Sequence, residues 1–254
     1  MIDFHSHIVH KVDDGSECIE NSIELLKEAQ KAGFEQIILT PHYMQNYYEI
    51  PKSIIQEKIQ KIEERIKKEQ INIKLYQANE IYITNHIITL LKEEKASSIN
   101  NSCYVLFELP MNEEPQNLLE VIYNLLENGK IPIIAHPERY SYIQQDPNKL
   151  LELAQLGVLF QANYGSILGL HGKQIEKTVK ILIKNNFIHF LGSDVHKTGN
   201  VYSQIDKIKK RLEKILTKEK IEELTTKNAQ KVINNEKIEV EPPVFIKKTF
   251  RFFL

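Results

Sequence analysis

Cysteine is nearly missing from this chain: Cys18 and Cys103 are the only two in 254 residues. A disulfide framework is thereby excluded, and the pair does not form the C-x-x-C arrangement of a thiolate zinc site. Long apolar runs are missing too, so no stretch reads as a membrane span. The N-terminus carries Asp3 and a histidine pair where a secretory signal needs a basic region and an apolar core. A cytoplasmic protein without membrane insertion is expected. Charge of one sign is also lacking, with a net charge of −1, a pI of 6.8 and Lys interleaved with Glu. No global field therefore favours nucleic acid or an anionic membrane. Internal repeats and low-complexity linkers are absent, so 1–254 reads as one domain, a length that α/β barrels reach as a single unit.

What is present is alternation. Seven short β-rich runs, at 2–7, 36–42, 73–80, 104–110, 131–136, 158–163 and 187–194, are separated by segments of helical period at 21–32, 53–68, 85–94, 115–128, 147–156 and 173–185. Ile23, Leu25, Leu26 and Ala29 form an apolar stripe, and Gly33, Gly129 and Gly157 stand where helices should end. Strands alternating with helices of this length predict a parallel sheet with helices outside it, doubly wound or closed into a barrel. A doubly wound sheet gathers its site from two or three strands, whereas a barrel takes a residue from almost every strand end. Polar residues here fall at almost every strand end, which favours the barrel. Beyond the seventh run, 203–216 and 219–233 read as an outer helical layer, with the charge run 207–211 as a solvated helix face. The tail 242–254 mixes Phe245, Phe250, Phe252 and Phe253 with Lys247, Lys248 and Arg251. It is expected to dock on the domain or on a partner subunit, so an oligomer stays open.

The strand ends hold a distinctive set: His5 and His7, His42 in L-T-P-H, Glu80 in Q-A-N-E, Glu108 in L-F-E-L-P, His136 in I-A-H-P-E-R, and Asp194 with His196 in G-S-D-V-H. His5 and His7, two residues apart on an extended strand, leave the same face. Asp13 and Asp14 add hard oxygen ligands on a turn that Gly15 makes easy to close, and with Asp14 the set reaches five His and four carboxylates. One histidine at a strand end has a bland explanation as a hydrogen-bonded structural residue; six such ends together do not. So many acids would repel one another without cations, and mixed imidazole and carboxylate ligands suit Mn, Fe or Zn better than Ca or Mg. The ligand count exceeds the needs of one ion, so two or three divalent ions with bridging carboxylates are expected.

Such a centre suits phosphoester hydrolysis, in which adjacent ions acidify a shared water to a nucleophilic hydroxide and neutralise the phosphoryl oxygens. Arg139, three residues beyond His136, is the candidate phosphate clamp, its competing reading being a surface pair with Glu138 or another acid. Gln161 and Asn163 share a face and either line the pocket or serve structure alone. His189 lies an odd number of residues from Asp194 and should turn toward the outer helices, while His10, His86 and His171 lack a companion motif. A cysteine nucleophile for phosphate chemistry wants Arg six positions on, where this chain has Glu24 after Cys18 and Leu109 after Cys103.

Taken together, D-F-H-S-H with D-D-G, T-P-H at 40–42, N-E at 79–80, F-E-L-P at 107–110, A-H-P-E-R-Y at 135–140, Q-A-N-Y-G-S at 161–166 and G-S-D-V-H at 192–196 resemble the PHP (polymerase and histidinol phosphatase) superfamily. Within it, they resemble the bacterial metal-dependent protein-tyrosine phosphatases of capsule and exopolysaccharide regulation. The resemblance implies a distorted, TIM-like (β/α)7 barrel, a trinuclear manganese centre, and removal of phosphate from a bacterial tyrosine kinase. It further implies that His5, His7, Glu80 and Asp194 hold one ion, Glu80, Glu108 and His136 a second, and Asp14, His42 and His196 a third. Two departures stand out. Relatives commonly carry a second phosphate-binding Arg after the D-x-H, where this chain has Lys197 and no Arg until Arg211. His10 and Lys11 replace a Pro-Gly that often precedes the acidic turn. The rival readings are another PHP phosphoesterase, such as a histidinol-phosphate phosphatase, and a metal-binding regulatory domain without turnover. A polymerase-associated nuclease lacks a basic surface here, and an amidohydrolase wants Lys where Glu108 stands.

Overall fold

Parallel strands buried on both faces require near-continuous apolar runs, and Y-V-L-F-E and I-P-I-I-A supply them at β6 (Tyr104–Glu108) and β7 (Ile131–Ala135). The computed structural model describes residues 1–199, 201–249 and 252–253. Its other main strands are β1 (Ile2–Asp3), β2 (Gln36–Leu39), β3 (His42–Tyr43), β4 (Lys74–Gln77), β5 (Glu80–Tyr82), β8 (Leu159–Asn163) and β9 (Phe190–Gly192). All ladders among them are parallel, in the orders β1-β2-β4 and β3-β5-β6-β7-β8-β9.

These two sheets are one curled layer. The second predicted strand is β2 plus β3, broken at Thr40 and Pro41; the third is β4 plus β5, broken at Ala78 and Asn79. Single hydrogen bonds carry the layer across the breaks, from Thr40 N to Ser6 O at 2.9 Å and from Glu80 N to Pro41 O at 3.2 Å. At the other edge a Ser6–Val195 bridge brings the first strand to the last, with Asp194 N donating to His5 O at 2.8 Å. Seven strand positions thus form a distorted (β/α)7 barrel. It is incompletely closed: among the described residues no ladder joins β4 to β6, and the turn at Ile99–Asn101 packs against both.

Helices clothe the outside. They comprise α1 (Ile19–Lys31), α2 (Lys52–Lys68), α3 (Ile87–Lys92), α4 (Leu118–Glu127), α5 (Ser141–Gln145), α6 (Leu150–Gln155), α7 (Tyr164–Leu168), α8 (Lys173–Lys184) and α9 (Ile205–Leu212), then α10 (Lys218–Glu222) and α11 (Asn228–Ile233). In α2, Ile55, Ile59, Ile62 and Ile66 follow the helical period and are buried, while its Lys and Glu residues face solvent. The short helices α5 and α7 have no counterpart in the sequence expectation.

The last helical segment corrects that expectation in another way. Instead of an outer layer throughout, a π-helical turn at Glu223–Lys227 leads into α11, whose Ala229, Val232 and Ile233 join Ile2, Phe4, Tyr104 and Phe190 in one buried cluster. α11 therefore plugs the end of the barrel where the strands begin. Of the tail, Ile246 is buried and clasped by Asn148, which accepts from Ile246 N and donates to Ile246 O at 2.9 Å each, whereas Phe245 is exposed. Phe250 and Arg251 lie outside the described residues, as do the side chains of Lys248, Phe252 and Phe253. No described helix is long and apolar enough to cross a membrane.

Within the barrel, side chains alternate with period two. Ile38, Tyr76, Leu106 and Leu159 fill the lower interior, and the same parity leads upward to Thr40 and His42, to Ala78 and Glu80, to Glu108, and to Gln161 and Asn163. An apolar floor therefore passes into a polar ceiling at the C-terminal strand ends.

Candidate metal centre

Two ceiling residues need more than strand parity. His136 follows Ala135, which faces the interior, and would point away on a regular strand; it instead takes φ 33° and ψ 54°. Asp194 likewise sits at φ 53°. Left-handed geometry at non-glycine residues is strained, on the order of 1–3 kcal/mol each, and persists only where the surroundings impose it. Both positions re-aim a polar side chain into the cluster. Two glycines make room for it: a Cβ on Gly15 would lie 2.1 Å from His7 O, and one on Gly192 would lie 2.5 Å from His5 Cβ.

All nine residues expected as ligands converge. His5 Nε2 and His7 Nε2 are 3.0 Å apart, and Glu80 Oε2 lies 3.2 Å from the first and 3.3 Å from the second. His42 Nδ1 is 3.0 Å from Glu80 Oε2 and 3.2 Å from Glu108 Oε1. Asp14 Oδ1 lies 3.4 Å from His196 Nε2 and 3.7 Å from His42 Nε2, and the His196 ring stacks on His7 with centroids 4.1 Å apart. Three groups have ligand atoms within 4.8 Å of one another: His5, His7 and Glu80; His42, Glu80 and Glu108; and His7, Asp14, His42 and His196. This grouping differs in detail from the one the sequence resemblance implies. His7 and His42 each fall in two groups, while His136 stands beside the second, 2.9 Å from Glu80 Oε1, and Asp194 beside the first, 3.4 Å from His7 Nε2.

Donor chemistry indicates that cations fit here. His5 Nδ1 donates to Gln161 Oε1 at 2.8 Å, and His7 Nδ1 donates to Asp13 Oδ2 at 2.7 Å. In the neutral rings these acceptors put each proton on Nδ1, so two Nε2 lone pairs face each other at 3.0 Å. A cation between them removes the repulsion. Glu80 Oε2 is buried with no hydrogen-bond partner among the described residues, as is His42 Nδ1. Without cations, the same atoms are balanced by protons. Burial disfavours charge on His42, but Glu80 and Glu108 outweigh it and push its pKa up to about 10. Burial likewise opposes charge on Glu80, yet His5 and His42 hold its carboxyl well below the usual range. The hydrogen bond from His196 keeps Asp14 at about 2. The described residues therefore offer enough imidazole and carboxylate donors for two to three divalent ions.

A supporting shell holds these ligands. Asp13, its side chain buried, also accepts from His42 N at 3.0 Å and Gly15 N at 3.0 Å. Gln161 Nε2 donates to Asn163 Oδ1 at 3.0 Å, and Asn163 Nδ2 donates to Asp194 Oδ2 at 2.7 Å. Asp3 accepts from Ser193 N at 2.7 Å and from Tyr202 OH at 2.6 Å, tying the first strand to the segment that carries Asp194. Tyr140 OH donates to Ala135 O and accepts from Leu109 N, joining two strand ends. Arg139 reaches the site through Asp194, with Nη1 2.7 Å from Oδ2. It does not pair with Glu138, which is buried and accepts from Asn163 N at 2.9 Å and Ser166 Oγ at 2.7 Å.

Asp13, expected with Asp14 as an oxygen ligand, instead supports His7 and lies outside the three groups, and Asp3 and Glu138 are site-supporting residues that the sequence does not single out. All three stand inside the motifs that carry the resemblance. The remaining histidines lie outside the three groups. Burial, and then the charges of Lys58, Lys11 and Lys61, lower the pKa of His10. His86 is exposed at the start of α3, and His189 lies near the opposite barrel end against Phe160 N. His171 lies in the 169–172 loop, its basicity lowered by burial and then by Arg139. Lys11 takes φ 54°, so the turn that lacks Pro-Gly places a lysine in the left-handed region. Lys197 lines a cleft of about 240 Å³ with Gly15, Ser16 and His196.

Comparison with known proteins agrees with this geometry. Residues 1–234 match the family described as capsular polysaccharide synthesis, CpsB/CapC. The chain is 35% identical over 255 residues to a putative tyrosine-protein phosphatase CapC of Staphylococcus aureus, covering 100% of this chain and 99% of that protein. It superposes at TM-score 0.91 and 31% identity, over 98% of this chain and 100% of the other, on a structure from work on YwqE of Bacillus subtilis and CpsB of Streptococcus pneumoniae, described as unique metal-dependent tyrosine phosphatases. A histidinol phosphate phosphatase of Lactococcus lactis shares the fold at TM-score 0.56, with 15% identity over 84% of this chain and 93% of that one. The chain belongs to the CpsB/CapC family of capsular polysaccharide synthesis.

Proposed function

We propose that this protein is a metal-dependent protein-tyrosine phosphatase, hydrolysing phosphotyrosine on a bacterial tyrosine kinase of polysaccharide synthesis in the cytoplasm. The observation that carries the proposal is the convergence of five imidazoles and four carboxylates at the strand ends, three groups of them with ligand atoms within 4.8 Å. The relatives described as tyrosine phosphatases support the substrate class. Manganese is the inferred metal, iron and zinc being compatible with the same donors.

Divalent ions in such a site supply a nucleophile from water at neutral pH and neutralise phosphoryl charge. The chain's own residues do the rest. Asp13 and Gln161 hold the protons of His7 and His5 on Nδ1, leaving both Nε2 atoms free as ligands. Arg139, part-exposed and oriented by Asp194, retains N–H donors for two phosphate oxygens. Lys197, beside His196, adds a point charge where the sequence resemblance implies a second Arg. Tyrosinate leaves with a pKa of about 10, so less proton donation is required than for an alkyl phosphate. The test compares a phosphotyrosine peptide with histidinol phosphate at equal concentration. Faster phosphate release from the peptide is expected, and preference for histidinol phosphate would overturn the assigned substrate.

A further inference from the structure

A second concavity adjoins the metal centre. This cleft of about 400 Å³, within the range of small-molecule pockets, is lined by Tyr82 at the end of β5, by Glu108 at the end of β6 and by the loop 109–113 that follows. Tyr82 and Glu108 are partners in the parallel β5–β6 ladder. Glu108 belongs to the ligand group with His42 and Glu80, so one wall of the cleft is itself a candidate ligand. Tyr82, Leu109, Pro110 and Met111 supply an aromatic and apolar surface. Tyr82 and Met111 are part-exposed yet pack against the main core, which restrains both. The loop is tied down by Ser141 N, two residues beyond Arg139, which donates to Met111 O at 2.9 Å.

The charges of the cleft decide which part of an aryl phosphate it suits. Among the described residues that line it, the charged side chains are Glu108 and Glu113 and the remaining polar ones are Tyr82 and Asn112, so nothing there compensates a phosphoryl charge. Burial and then Glu108 raise the pKa of Tyr82, which keeps its hydroxyl neutral. Arg139, the cation that suits phosphate, stands instead beside Asp194. In phosphotyrosine a single ester oxygen separates phosphorus from the ring. A phosphoryl group held at the ligands therefore leaves its ring within reach of a cleft that shares Glu108 with them. Tyr82 offers that ring an aromatic partner and Met111 a thioether. We propose that, with phosphotyrosine as the substrate, this cleft receives the substrate's ring, and that Tyr82 and Met111 set a preference for aryl over alkyl phosphates.

The test titrates phenylphosphonate and methylphosphonate, phosphate mimics that are not hydrolysed, into the Mn²⁺-loaded full chain by calorimetry. The wild type is expected to bind phenylphosphonate about tenfold or more tightly, the effect of burying one ring. Tyr82→Ala should cut that preference to about threefold or less, with methylphosphonate binding retained. Met111→Ala should act in the same direction, and it serves alone if Tyr82→Ala does not fold. Equal binding of the two phosphonates by the wild type, an unchanged preference in the variants, or equal weakening of both ligands overturns the proposal. Turnover is read separately with a phosphotyrosine peptide. A wild type that discriminates the phosphonates but leaves the peptide intact overturns the phosphatase reading and not the cleft; hydrolysis without discrimination does the reverse.

Discussion

Asp13 illustrates how a residue that touches no substrate governs those that do. Its two oxygens take the His7 ring proton and the backbone N–H groups of His42 and Gly15. Replacing it by Ala frees the His7 ring to rotate and to change tautomer. We expect Asp13→Ala to weaken metal binding by about 10–100-fold, read by calorimetric titration with Mn²⁺. Wild-type affinity would remove Asp13 from the supporting shell. Arg139 makes a different prediction, because its target is the phosphate: Arg139→Ala should raise KM for aryl phosphates about tenfold or more, the loss expected for a charge-assisted bidentate contact. Unchanged kinetics in that variant would refute the clamp. Residues of these two kinds differ in legibility. His, Glu and Asp at strand ends announce themselves by chemistry and spacing. Asp3, Asp13 and Glu138 act as acceptors for ligands and backbone, and nothing in a one-dimensional pattern separates such acidic residues from solvated ones until the chain places them at 0% exposure for Asp3 and Glu138.

Among the elements, the strands were legible as apolar runs but their interruptions were not. Pro41 has no N–H to give the ladder, and Asn79 spans the next break, its Nδ2 donating to Pro41 O and its Oδ1 accepting from Ser97 N. Those contacts are long-range, so the local sequence reads straight through. The Lys- and Glu-rich end of the chain hid a plug for the same reason, since Ala229, Val232 and Ile233 are few among many charges. β9 offers an experiment through its neighbour His189. The unfolded chain takes up a proton near pH 6.5, while the folded one resists until about 3. Stability from the neutral ring is thus intact above pH 6.5 and falls by about 1.4 kcal/mol per unit as pH drops between those values. Carboxylates held low, such as Asp14, also favour the folded state less as pH falls, but equally in both proteins compared. His189→Gln keeps an acceptor for Phe160 N and should therefore move the acid-unfolding midpoint to lower pH in a circular-dichroism titration. An unmoved midpoint would contradict the buried neutral ring.

At the scale of the whole molecule, the barrel was readable because almost every strand ended in a polar residue. Its closure was not, because a Ser6–Val195 bridge and left-handed backbone at His136 and Asp194 leave no sequence period. The nine candidate ligands come from segments spanning most of the chain, so ions bound among them should tie the barrel together. By mass action, metal at about a thousandfold its Kd adds about 4 kcal/mol to folding. Chelation should accordingly lower Tm in a calorimetric scan, and an identical Tm with and without chelator would mean that the cluster holds no metal in the folded protein.

The central claim joins that cluster to phosphotyrosine. Its most direct test is phosphate release from a phosphotyrosine peptide by the chelated protein before and after adding Mn²⁺, with His136→Ala alongside as a folded control. The account predicts loss of release on chelation, recovery with Mn²⁺, and none at either stage from His136→Ala. Release that is indifferent to chelation would contradict it.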